Sequence, residues 1–253
     1  MLPDNPAQIL NDLAAIGYTE GEVLQMDYPG QAQMIRDAGL KATSMHLFAG
    51  VVTGAMGDAN PPQKTVEEAA AYAKSEGLSY LVMPYLPQNE RGTTLDHYKE
   101  LAAKLNKAGE VAKDAGLGFA YHNHAFEFEP MGDSTPLDTI LSETDPALVQ
   151  LELDVFWVSV AGLNPVTLLE KYAGRVPLTH LKDKAPDVPQ QFKEGLGKEA
   201  FKEVGNGSLD FAAILKACEP AGVKHYYVEQ DQTPGDPLAS LRQSYENLRG
   251  LAV

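Results

Sequence analysis

The sequence predicts a parallel α/β fold, the (β/α)8 TIM barrel, and three observations predict it. Short apolar runs alternate with helical patterns along the chain without a break. Strict alternation of this kind places parallel strands inside a layer of helices. The chain has 253 residues, the length of an ordinary α/β barrel. Successive apolar runs end in residues able to bind a metal or move a proton, and barrels build their sites at those C-terminal strand ends. No domain boundary, low-complexity segment or repeat interrupts residues 1–253, which read as one domain.

The elements follow in order. Asn5 as N-cap and Pro6 in the first turn open a helix with the stripe Ile9, Leu10, Leu13 and Ile16, and Gly17 stops it. Residues 22–26 read as a weak strand, 31–38 as a short helix ended by Gly39, and 42–48 as a strand with His46 near its end. Residues 49–64 contain Gly and Pro and read as a loop long enough for a lid or binding loop. A helix at 65–76, a strand at 80–84, the longest helix at 95–115 and a strand at 118–122 follow, with Gly77 and Gly116 closing the helices. An aromatic–acidic loop at 125–130 and a short helix at 136–142 lead to the strand 149–154, which ends on Asp154 and opens into a loop. Next come a helix at 165–172, a strand at 176–182 and a long loop at 183–207 ending in Gly205-Asn206-Gly207. Asp210 caps a helix to Ala221, and a strand at 225–229 and a helix at 237–251 complete the pattern.

This order supplies seven strands and starts with a helix. A closed eight-stranded barrel needs one more strand before that helix. The first strand is therefore expected to be missing from this chain and to lie upstream, Met1 being internal or a misplaced start. Without it two neighbouring strands keep unpaired edges, which invite pairing with another chain. A homo-oligomer is among the arrangements this allows.

Composition narrows the function. With 44% hydrophobic residues and a formal charge of −15, the chain is expected to be a globular protein with a dispersed acidic surface. Nucleic-acid binding needs clustered Lys and Arg, so nucleic acid is not the expected partner. A neutral or metal-chelated small molecule fits better. Cys218 is the one cysteine, which excludes an internal disulfide and C-x-x-C metal sites. No apolar run reaches the ~18 residues of a membrane span. No signal peptide is visible, so a cytoplasmic location is expected, with export left open by the missing N-terminal strand.

The candidate site residues sit at strand ends. Glu152 and Asp154 share one face of their strand. A carboxylate inside a barrel is costly unless paired or bound to metal. Asp154 reads as a metal ligand or as a cap on the following turn, and Glu152, deeper, as a hydrogen-bonded wall residue rather than a ligand. Trp157 either packs on the apolar face of a sugar or belongs to the core. His180 reads as a metal ligand. Lys182, on the same face, donates to a substrate oxygen, acts as acid/base or pairs with a wall carboxylate. Glu229 is a ligand or an acid/base group, or else half of a structural ion pair. His122 is a ligand or proton shuttle, and His46 and His124 are candidate substrate contacts. Glu22, Glu127 and Glu129 are weaker candidates. Gly205-Asn206-Gly207 before a helix reads as a tight turn, with an anion site as the alternative. Such His, Asp and Glu donors suit Mn, Zn, Co or Mg. A divalent ion of this kind acidifies a carbon-bound proton beside a carbonyl, the chemistry of sugar isomerisation, epimerisation and β-elimination.

With these residues in place the sequence resembles the xylose isomerase-like (β/α)8 superfamily, the sugar phosphate isomerases/epimerases. The resemblance is carried by Ala15-Ile16-Gly17-Tyr18, Ala38-Gly39-Leu40, Tyr121-His122-Asn123-His124-Ala125-Phe126-Glu127-Phe128, Glu152-Leu153-Asp154-Val155-Phe156-Trp157, His180-Leu181-Lys182-Asp183, Gly205-Asn206-Gly207-Ser208-Leu209-Asp210-Phe211 and Val228-Glu229-Gln230-Asp231. It implies a divalent metal held by Glu, Asp, His and Glu from four strands. Asp154, His180 and Glu229 match three of these positions. His122 stands where the first Glu is expected, a departure that leaves it as a substitute ligand. The resemblance implies an isomerase, epimerase, lyase or dehydratase acting on a sugar substrate. The competing reading is a non-catalytic sugar- or polyol-binding barrel, or a subunit completed by a partner.

Overall fold

The computed structural model describes residues 5–24, 30–56 and 64–251. The strands are β1 Glu20–Val23, β2 Lys41–His46, β3 Tyr80–Met83, β4 Gly118–His122, β5 Gln150–Asp154, β6 Leu178–Leu181, β7 Asp183–Lys184, β8 Phe201–Lys202 and β9 His225–Val228. The helices are α1 Pro6–Ile16, α2 Gln31–Asp37, α3 Ala49–Thr53, α4 Val66–Ser75, α5 Leu95–Asp114, α6 Pro136–Ser142, α7 Val155–Val160, α8 Pro165–Lys171, α9 Phe211–Ala221 and α10 Pro237–Arg249. Seven of the strands form one parallel sheet in the order β1-β2-β3-β4-β5-β6-β9, and β7 and β8 form a separate antiparallel ribbon.

The helices start where side chains can satisfy free backbone amides. Asn5 accepts from Gln8 N, Thr65 from Glu68 N and Asp210 from Ala213 N. The long α5 turns Tyr98, Leu101, Leu105, Ala108 and Ala112 inward at helical spacing. Leu105 is fully buried, so truncation to Ala would cost about 3 kcal/mol. Gly109 on the same face is needed for close approach, because a Cβ there would strike the Leu148 carbonyl just before β5.

The sheet curls into an incomplete barrel. β1 and β9 carry its two edges, and no ladder joins them among the described residues. The gap matches the seven-strand count of the sequence. Side chains cross this seam instead. His225 Nδ1 lies 2.6 Å from Glu20 Oε2, and the Tyr227 and Thr43 hydroxyls are 2.6 Å apart. A cavity of about 320 Å3 runs along the seam, lined by Leu10, Leu13, Ile35, Leu40, Tyr226 and Val228.

Four local expectations need correction. The loop expected at 49–64 begins with α3, and its residues 57–63 lie outside the described residues. The weak strand expected at 22–26 is β1 at Glu20–Val23, and Met26 lies outside the described residues. The stretch after Asp154 is the helix α7, not a loop, because the Asp154 carboxylate caps it. The long loop 183–207 contains the β7–β8 ribbon.

Candidate active site

The site is assembled at the C-terminal ends of the parallel strands. Period-two alternation turns Glu152 and Asp154 to one face of β5, and both are fully buried. Asp154 Oδ1 accepts from Phe156 N at 2.9 Å and Trp157 N at 3.0 Å, capping α7. Its Oδ2 lies 3.0 Å from Lys182 Nζ and 3.5 Å from His122 Nε2, with no hydrogen bond aligned on it. The cap and the inward-facing oxygen thus coexist on one carboxylate. Asn123 fixes this arrangement by accepting from Asp154 N at 3.1 Å and donating to Asp154 O at 3.4 Å.

His180, on β6, is the hub. Its Nδ1 lies 2.5 Å from Glu229 Oε2, and its Nε2 lies 2.6 Å from Glu22 Oε2 and 3.3 Å from Glu152 Oε2. His46 stacks against it at 6.1 Å between ring centroids, with Nε2 3.3 Å from Glu22 Oε2. His122 Nδ1 is 2.8 Å from Glu152 Oε2. Lys182 meets three carboxylates: Asp154 at 3.0 Å, Glu229 at 2.8 Å and Asp231 at 2.8 Å. Ser44 and Tyr227 complete the β1 side, with the Ser44 hydroxyl donating to Glu22.

Mutual charge outweighs burial at most of these groups. Burial disfavours charge on His122, but the Asp154 and Glu152 carboxylates push its pKa up to about 9. Burial likewise opposes charge on His180 and Lys182, yet the surrounding carboxylates raise both well above their ordinary values. The same pairing holds the Glu22 and Asp154 carboxyls low against burial, through His46 and His180 for the first and Lys182 and His122 for the second. His124 goes the other way: burial and the nearby His122 and Lys182 charges lower its pKa.

Two sets of donor atoms gather, each with all atoms within 4.8 Å of one another. One is Glu22, His46, Glu152 and His180, and the other is His122, Asp154 and His180. Glu152 Oε1, Asp154 Oδ2 and His46 Nε2 are buried without hydrogen-bond partners. Buried polar atoms ordinarily have one. Orphaned lone pairs converging in mixed imidazole and carboxylate sets fit a divalent ion.

The structure therefore brings Asp154, His180 and His122 into one donor set. Glu229 is outside both sets, its carboxylate taken by His180 and Lys182 and its side chain 39% exposed and lining the cavity along the seam. His46 sits among the donors. Trp157 packs against His124 in a tilted arrangement with ring centroids 5.2 Å apart, and Lys182 Nζ lies 5.9 Å from the indole ring centroid. Glu22 and Glu152 are central rather than peripheral, and Asp231 enters through Lys182. The shared face of Glu152 and Asp154 was the available signal for the first. The Val228-Glu229-Gln230-Asp231 spacing, which puts Glu229 and Asp231 two apart, was the signal for the last. Glu127 is fully buried and accepts from Tyr121 Oη and His124 N, bracing the loop, while Glu129 is exposed.

The Gly205-Asn206-Gly207 turn does surround an anion, and the anion is Asp183. Its carboxylate accepts from the backbone amides of Lys184, Gly205, Gly207, Ser208 and Leu209 at 2.7–3.2 Å. A Cβ on Gly207 would collide with that carboxylate.

The chain belongs to the xylose isomerase-like TIM barrel family, whose sequence profile matches residues 11–251. It is similar to an inosose dehydratase of Clostridium botulinum (strain Alaska E43 / Type E3), with 26% identity over 262 residues, 91% of this chain and 84% of that protein. An inosose dehydratase of Clostridium beijerinckii is 33% identical over 147 residues, 55% of this chain. That match spans about half the relative's length, 49%. Among solved structures, a sugar phosphate isomerase/epimerase from Parabacteroides distasonis ATCC 8503 aligns with a TM-score of 0.74 at 26% identity, covering 96% of this chain and 91% of that one. No helix among the described residues is long and apolar enough to cross a membrane.

Proposed function

We propose that this chain is a divalent-metal-dependent enzyme that moves a proton next to a carbonyl of a sugar or sugar derivative, as an isomerase, epimerase or dehydratase. The observation that carries the reading is a pair of donor sets, Glu22, His46, Glu152 and His180 in one and His122, Asp154 and His180 in the other, that share His180 and contain buried ligand atoms without hydrogen-bond partners. The inosose dehydratase relatives support a sugar-like substrate. Asp154, His180 and His122 would hold the ion, with Glu22, His46 and Glu152 as the second set around His180. When bound, such an ion polarises a carbonyl and acidifies the adjacent carbon-bound proton.

The chain's own groups supply the rest. Glu229, on the wall of the seam cavity and held ionised by Lys182 and His180, takes the proton from carbon. Lys182, held charged by its carboxylates, donates to the oxygen on which negative charge develops. His122 acts as ligand or as proton shuttle, with Glu152 fixing its ring.

The test is a metal-supplemented screen of ketoses, inososes and 3-keto-sugars, with products identified by NMR. The reading expects one substrate to be converted, with conversion abolished by chelation and restored by Mn, Co, Zn or Mg. Ligand binding without turnover, insensitive to chelation, would favour a sugar-binding barrel instead.

A further inference from the structure

We propose that residues 185–200 form a strap closed over the C-terminal mouth of the barrel, latched by the Arg91–Glu194 ion pair, and that the strap opens to let a ligand reach Trp157 and His124. The inference rests on the reading of this barrel end as an active site and goes beyond it by giving that site a gate.

The strap is a loop on a narrow neck. The β7–β8 ribbon pairs Asp183 with Lys202 and Lys184 with Phe201, and Ala185 N donates to Ala200 O at 2.9 Å, so the two ends of the segment meet. Between them, residues 185–197 contain no helix or strand. Loops closed at the base in this way are frequently functional, as active-site lids among other uses. The base of the strap is bound to α7: Gln191 N donates to Val160 O at 2.9 Å, and Gln190 Nε2 to Ala161 O at 3.1 Å. On its inner side Val188 and Leu196 pack against the cluster that contains Ala125, Phe156, Trp157 and Phe201. Asp187, Pro189, Lys193 and Gly195 are exposed on the outside.

The far end of the strap is tied across the mouth. Glu194 accepts from Arg91 Nη1 at 3.1 Å and Nη2 at 2.9 Å, and the two side chains are only 15% and 14% exposed. A shielded, two-pronged pair of this kind is stronger and more directional than an exposed single contact. Arg91 follows β3 and Glu194 follows β6, so the pair reaches past the ends of β4 and β5, which lie between them in the sheet. Arg91 is a fixed post: its Nε donates to Leu86 O at 2.9 Å, and its guanidinium lies 3.5 Å from the Phe126 ring centroid. Glu194 is the movable partner. A Cβ added at Gly195 or Gly197 would meet nothing within 4 Å, so the backbone beside it is unpacked. A second tie, from Gln232 Nε2 to Leu196 O, is longer at 3.4 Å.

The strap seals groups that lack a partner. Trp157 is 3% exposed, and neither its Nε1 nor His124 Nδ1 has a hydrogen-bond partner. The two rings lie 5.2 Å apart. Buried unpartnered groups are costly, and a ligand that completes them has to pass the strap to do so. Reclosure behind the ligand shuts water out of the site.

The experiment uses the full chain and needs no substrate. Trp157 is the sole tryptophan, so acrylamide quenching of its fluorescence reads access beneath the strap. Glu194→Gln keeps the size of the side chain, removes the charge facing Arg91 and leaves Arg91 its contacts with Leu86 and Phe126. Its quenching constant is expected to rise about threefold over wild type, with melting temperature unchanged. Hydrogen exchange is expected to quicken about tenfold in peptides from 185–200 and to stay unchanged in β4, β5 and β6. Arg91→Lys, which keeps the charge and loses the fork, should show a smaller rise of the same kind. Lys193→Gln, which removes an exposed charge from the same strap, should match wild type. Quenching at the wild-type level in both latch variants, or a rise equalled by Lys193→Gln, overturns the proposal. That result would leave the enzyme reading intact. A strap that opens in the latch variants of a chain with no turnover in the metal-supplemented screen would do the reverse.

Discussion

The wall β4–β5–β6 and the seam between β1 and β9 hold the same site in different ways. In the wall, parallel ladders run from Ala120 through Gln150–Asp154 to His180, and backbone bonds set the positions of His122, Glu152, Asp154 and His180. At the seam no ladder joins the edges among the described residues; β1 is laddered to β2 alone, with a register shift just before Glu22, and the Glu22 carboxylate meets the side chains of Ser44, His46 and His180. The outer surface differs too, since Leu24 and Tyr226 flank the seam at 56% and 41% exposure. One half is thus laddered on both sides of each strand, while the other is laddered on one side and joined across the seam by polar side chains.

Breaking the wall should have the largest effect. Asp154→Asn keeps the Oδ1 cap on α7 but turns an amide toward Lys182 and His122, where two donors already point. Turnover should fall by about a hundredfold or more with little change in melting temperature. A small kinetic effect would remove Asp154 from the centre of the account.

The next effect concerns the loop that follows β6. Asp183→Ala would leave five backbone amides without their acceptor. Urea unfolding should show a loss of roughly 3–5 kcal/mol, a few times the value of one unmade hydrogen bond. The Asn variant, keeping one oxygen, should lose less.

Glu127 makes a pH-dependent prediction on the wall side. Burial pushes its carboxyl up to about 7 from an ordinary 4.5. Between those values the folded chain binds a proton that the unfolded chain has released. This group's contribution is therefore fully present below about pH 4.5 and is lost as pH rises to 7. The loss is roughly 3 kcal/mol at 1.36 kcal/mol per unit. Glu127→Gln should flatten that slope in thermal melts between pH 5 and 8, and an unchanged slope would reject the assignment.

The smallest effect is expected at the seam. Tyr227→Phe removes the hydroxyl that meets Thr43 and Ser44, and should cost about 1 kcal/mol. Hydrogen exchange should still rank β1 amides as faster than β5 amides, because one edge of β1 pairs with no strand among the described residues. Equal protection would mean that the seam is as firmly held as the wall.

Much of this was legible in the sequence, for identifiable reasons. Alternation along β5 put Glu152 and Asp154 on one face, and the positions of His180 and Lys182 two apart on their strand did the same. The helix stops at Gly77, Gly116 and Gly222 bounded the elements. What was not legible depends on distant partners. Glu152 reads as a wall residue until His46, His122 and His180 are seen to converge on it from three other strands. The Asp183 nest uses amides 22–26 residues downstream. The short helix α7 has too few turns to show a period, although its cap, Asp154, read both as the end of a strand and as a cap on the following turn.

The central claim is that this barrel centre binds a divalent ion, and metal content tests it most directly. After incubation with Mn or Co and desalting, mass spectrometry should find about one tightly held ion per chain in the wild type and far less in His180→Gln, since His180 belongs to both donor sets. Affinity should rise with pH, because His122, pushed up to about 9, and His180, raised well above its ordinary value, must lose their protons to become ligands. A folded wild-type chain that retains no metal, or a His180→Gln chain that retains as much, would contradict the account.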